Sequence, residues 1–75
     1  MVKITKALAK KMWENGEEVM VIPNRINPTS PLAAWISRPE GELEAGAFEK
    51  VCNAVHYYNC SPETGMELVF FAKEL

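Results

Sequence analysis

From Thr5 to Asn15 the apolar and polar positions repeat with a helical period. At about 100° per residue, Thr5, Leu8, Ala9, Met12 and Trp13 share one side, whereas Lys3, Lys6, Lys10 and Lys11 crowd the other. Thr5 suits an N-cap, because its hydroxyl can accept from an otherwise orphaned first-turn N–H. Gly16 suits the left-handed stop after Asn15. Residues 17–22 then change period: Val19 and Val21 point one way, Met20 and Ile22 the other, as in a strand. Pro23 ends it. Residues 24–31 (NRINPTSP) form an irregular loop whose prolines block helix and ladder alike. Residues 32–37 read as a second strand and residues 38–42 as a turn. A second helix begins between Leu43 and Ala47 and runs to about Asn59, with Phe48, Val51, Cys52 and Val55 as its buried stripe and Tyr58 on its flank. Pro62 and Gly65 place a turn at residues 61–65, and residues 66–73 make the last strand.

The pattern predicts one α+β domain, residues 1–75, in the order α-β-β-α-β. Its three-stranded antiparallel sheet has the order 2-1-3, with residues 17–22 central and two helices. Every strand is apolar on both sides. If both helices sit together, the other face presents Met20, Ile22, Trp35, Val69 and Phe71, the kind of patch that marks an interface. A homodimer is therefore expected, with Trp35, Val69 and Phe71 at its contact.

Size sharpens that expectation. A chain of 75 residues buries only about 60% of its unfolded surface, so its core is marginal without outside support. Cys52 and Cys60 do not supply it: eight helical residues span about 12 Å, beyond the roughly 7 Å reach of a disulfide. No apolar run approaches the roughly 18 residues of a membrane span, and the first five residues are too short and polar for a secretory leader. A cytoplasmic, reduced protein is expected. The net charge of −2 and pI near 5.3 argue against general nucleic-acid binding, which needs a basic footprint.

Candidate chemistry is sparse. Cys52, His56 and Cys60 recur every fourth residue and would present thiolate and imidazole to zinc. They are only three ligands, and no further Cys or His exists in the chain. A nucleophilic pairing of His56 with either cysteine lacks an orienting third group and an oxyanion hole. No phosphate loop, dinucleotide fingerprint, zinc-protease helix or nucleophile elbow occurs. Glu40, Glu42, Glu44 and Glu49 gather near the start of the second helix, where its dipole favours acids. Polar and aromatic groups offer a better candidate: Arg25, Asn27, Trp35, Asn53, Tyr57, Tyr58 and Asn59 suit a protein partner or a small planar ligand. The local alternative is that Asn59 ends the helix or pins the loop at residues 24–31. The reading is of a binding protein rather than an enzyme, with no cofactor.

Asn53-Ala54, Tyr57-Tyr58-Asn59-Cys60, Glu63-Thr64-Gly65 and Phe70-Phe71, with Phe48 and the upstream Asn27-Pro28, carry a resemblance. The last third of the chain resembles small proteins of phages, prophages and mobile elements of Firmicutes that end in an N-A-x-x-Y-Y-N-C segment. The resemblance implies a setting, a small intracellular accessory protein of a mobile element, of a kind that inhibits a host or defence factor or sequesters a signal molecule. The leading expectation is a protein that occupies a host or defence partner in counter-defence. The alternatives are an oligomeric small-molecule binder, such as a nucleotide sponge using Tyr57, Tyr58, Trp35, Arg25 and Asn27, and a zinc-binding protein using Cys52, His56 and Cys60.

Overall fold

The computed structural model of the chain describes residues 1–24, 26–30, 33–59 and 67–74, and the side chains of residues 56–59 lie outside that description. The chain is α+β with the order β1 (Val2–Ile4), α1 (Lys6–Glu14), β2 (Val19–Pro23), β3 (Trp35–Ile36), α2 (Ala47–Asn59) and β4 (Leu68–Ala72). One antiparallel sheet holds all four strands in the order β1-β4-β2-β3.

The expected three-stranded sheet is thus corrected to four. Val2–Ile4 pairs with β4, Val2 opposite Ala72 and Ile4 opposite Phe70. Three residues are too few for an alternation to stand out, and only Ile4 of the three is buried. The other strands keep the expected order, β3-β2-β4, with β2 between its neighbours. All five β2 residues are buried.

Local chemistry sets the helix ends. Thr5 is extended and its Oγ1 accepts the Leu8 N–H at 3.2 Å, so α1 starts where a cap can satisfy it. At the other end Gly16 takes φ 93°. Its N–H donates to the Trp13 carbonyl at 3.0 Å while the Glu17 N–H donates to Met12 at 3.0 Å. These are the paired bonds of a Schellman closure, which requires a left-handed residue at that position.

Both helices lie on one face of the sheet. Ala9 and Trp13 of α1 and Phe48 and Cys52 of α2 bury against Ile4, Val19, Val21, Phe70 and Ala72. Phe48 stands at the centre, its ring 5.4 Å from Trp13 and 6.1 Å from Phe70. A Lys10–Glu49 ion pair at 2.9 Å joins the helices at their rim. β1 and β2 are each antiparallel to β4, so α1 connects parallel strands across it. In the same way α2 connects β3 and β4 across β2. The result is two interleaved split βαβ units.

Among the described residues no helix is long and apolar enough to cross a membrane.

Candidate functional site

Strand alternation sends Met20 and Ile22 of β2, Val69 and Phe71 of β4 and Trp35 of β3 to the face opposite the helices. Register makes them neighbours: Met20 lies between Phe71 and Trp35, and Ile22 is opposite Val69. Met20 and Ile22 are each only 3% exposed, whereas Trp35, Val69 and Phe71 around them are half-buried. One end of this face carries charge. Lys73 Nζ sits 5.4 Å from the Trp35 ring centroid and 3.1 Å from Glu18 Oε1, so its stem reaches across β2. The helix-free face is therefore an apolar floor with an aromatic rim and a lysine–glutamate end.

The other sequence candidates do not converge on it. Asn27 is exposed and turns inward on its own loop: its Oδ1 accepts the Thr29 N–H at 3.0 Å and the Thr29 hydroxyl at 2.9 Å. That is a local Asx-type bond, and it accounts for Asn27 without a ligand. Asn53 is exposed on α2, so the sheet separates it from Trp35. Arg25 and Cys60 lie outside the described residues, as do the side chains of His56, Tyr57, Tyr58 and Asn59, although residues 56–59 are helical. Among the described residues no three His, Cys, Asp or Glu side chains group as a metal site. Cys52 is 3% exposed, and burial pushes its thiol pKa up, only partly countered by the Lys6 ammonium. A thiol in that setting is a core group rather than a ready thiolate.

Arg38 went unnoticed in the sequence. Its Nη1 donates to the Glu14 carbonyl at 2.6 Å, and its guanidinium also meets the Pro39 and Gly41 carbonyls. A cation thus closes the C-terminal end of α1, where the helix dipole favours one. No sequence spacing links positions 38 and 14, so only the fold reveals the contact.

A second concavity opens where the sheet narrows. β4 pairs with β2 over residues 68–72 but with β1 only over residues 70–72, because the chain turns into α1 after Ile4. The Asn24 N–H donates to the Glu67 carbonyl at 2.9 Å, on the β2 side. Backbone groups of successive strand residues face alternate sides, so the N–H and C=O of Leu68 face the β1 side, where β1 has ended. The resulting cleft has a volume of about 600 Å³. Ile4, Cys52, Leu68 and Phe70 supply its apolar wall, and Lys3, Lys6, Asn53 and Glu67 its polar groups.

Compared with known proteins, the chain matches no family model, no curated protein and no solved structure.

Proposed function

We propose that this chain is a small non-enzymatic binding protein that docks a protein partner on the helix-free face of its sheet. The observation that carries the reading is the one-sided placement of α1 and α2, which leaves Trp35, Val69 and Phe71 half-buried around Met20 and Ile22. Aromatic side chains on an apolar floor, with charge at its rim (Lys3 beside Phe71, Lys73 and Glu18 beside Trp35), have the make-up of an interface centre. A partner offering a flat apolar face rimmed by opposite charge would complete the burial. The resemblance of the last third of the chain to phage and mobile-element proteins supports a host or defence protein as that partner, with inhibition by occupancy as the mechanism.

In the isolated protein the same face is expected to close on a second copy, since two-fold pairing is the commonest way to cover such a surface. The test is light scattering of the unmodified protein and of Phe71→Glu at tens of micromolar. A dimer that becomes a monomer in Phe71→Glu is expected, because a carboxylate cannot be buried unpaired at an apolar contact. Native mass spectrometry of protein from its natural host then reports the partner, which Phe71→Glu should release and a charge change at Lys6 on α1 should retain. A monomeric unmodified protein that also carries no partner sensitive to Phe71→Glu would refute the reading.

A further inference from the structure

We propose that the cleft between β1, α2 and β4 is a separate binding site for the C-terminal end of an apolar peptide. Three observations on different parts of the fold converge there. First, the Leu68 N–H and C=O face the gap beyond the end of β1. An incoming peptide amide offers both complements, in the way a strand is added to an open sheet edge. Second, the cleft is about 600 Å³, within the roughly 300–1,000 Å³ of small-ligand sites. Its wall of Ile4, Cys52, Leu68 and Phe70 suits an apolar side chain. Third, Lys3 and Lys6 line the cleft with one acid, Glu67, Lys6 from α1 and Lys3 from the side of β1 that it shares with Phe71. The lining therefore carries one net positive charge, matching a single terminal carboxylate. Among the described residues neither lysine is in an ion pair, whereas Lys10, Lys50 and Lys73 each are.

A peptide seated here takes the track that β1 would have followed had it continued. Its last amide pairs with the Leu68 edge, its last side chain enters the apolar wall, and its carboxylate meets Lys3 and Lys6. Asn53 on α2 offers a further donor and acceptor beside the path. Lys3 pairs with Phe71 across β1 and β4, so the two sites are told apart through Leu68, Lys6 and Asn53, which the helix-free face does not use.

The experiment is an amide-resolved NMR titration of the full chain with N-acetyl-Ala-Leu as the free acid and, separately, as its C-terminal amide. The free acid is expected to shift Ile4, Lys6, Asn53 and Leu68 saturably, with a dissociation constant on the order of 1 mM. Exchange of the Leu68 N–H should slow as the acid binds. The amide form should bind at least tenfold more weakly, as should the acid to the double variant Lys3→Ala, Lys6→Ala. Both lysines are exposed, so an unchanged melt will show that the variant is folded, while Trp35→Glu on β3, with β4 and β2 between it and β1, should bind like the parent. Equal binding of acid and amide, equal binding by the lysine variant, shifts centred elsewhere, or no saturation up to about 10 mM would each overturn the proposal.

Discussion

Replacing Phe48 by Ala is the sharpest test of how this small core is held. Phe48 is fully buried. Its ring joins α1 to the sheet, 5.4 Å from Trp13 on one side and 6.1 Å from Phe70 on the other. Removing it deletes both aromatic contacts and leaves a cavity that three different elements would have to close. A buried Phe→Ala change costs about 3–5 kcal/mol, and poor collapse favours the upper half of that range. For 75 residues, roughly 0.05–0.15 kcal/mol per residue gives about 4–11 kcal/mol of total stability. The variant is therefore expected to be unfolded or within a few kcal/mol of it. The assay is urea unfolding followed by circular dichroism and Trp emission. With a slope of about 1 kcal/mol/M, the midpoint should fall by roughly 3 M or more, and the melting temperature by about 15–30 °C. Phe48→Leu retains apolar volume and should lose about 1–2 kcal/mol, which keeps a folded variant available for comparison. A loss below about 1 kcal/mol for Phe48→Ala would mean that the ring does not link the helices to the sheet.

Two further outcomes follow from the helix ends and the rim. Gly16→Ala meets open space but must hold φ near 93°, so it should lose about 1–2 kcal/mol through the backbone alone. A chemical melt that is unchanged or improved would show that the Schellman closure is not needed. The Lys10 hydrogen bond and charge hold Glu49 below its ordinary carboxylate range and raise the Lys10 pKa in return. The Glu49 contribution is then present above its unfolded pKa near 4.3 and disappears as pH falls through the lower folded value. The Lys10 contribution persists below about pH 10.4 and disappears as pH rises through its higher folded value. Glu49→Gln should therefore lower the melting temperature modestly near neutral pH and match the parent below about pH 3, with salt shrinking the difference. A gap that persists unchanged at low pH would contradict the assignment.

What the sequence made legible and what it hid divide along one physical line. Signals carried by neighbours in the chain survive. The Thr5 cap, the Gly16 stop and the Phe48–Cys52 stripe rest on contacts or periods within a few residues, and all three appear in the fold. The pairing of β3 with β2 and of β2 with β4 followed from two-faced apolar runs, yet β3 came out shorter than residues 32–37. Among the described residues only Trp35 and Ile36 pair, and ahead of them the Ala33 N–H turns back to the Ser30 carbonyl at 3.0 Å. Signals that depend on distant partners were invisible. β1 is a strand only because β4 lies beside it, and Arg38 caps α1 only because the fold carries residue 38 to residue 14. The cleft depends on the mismatch between where β1 stops and where β4 starts, which no window along the chain contains. Asn27, chosen for its polarity, is accounted for by the Thr29 turn.

The basic residues make the same division on the side of function. Lys10 joins the two helices, Lys50 meets Glu44, and Lys73 bridges Glu18 and Trp35. Arg38 satisfies carbonyls at the end of α1, and Lys11 sits in the last turn, where the helix dipole welcomes a cation. Each of these charges has a place in the folded state. Lys3 and Lys6 do not. Lys6 opens α1, whose first turn holds no acid, although the dipole there favours one by about 0.3–1 kcal/mol. Its effect on Glu49 is the weakest of the contributions to that group, behind the Lys10 bond. Where a local choice opposes the stability of the element that carries it, function is the usual reason. Both lysines border one cleft, and that cleft contains the Leu68 edge. A stabilising change at α1's first turn should therefore come at the expense of anion capture, a trade-off that a solvated helix face would not impose.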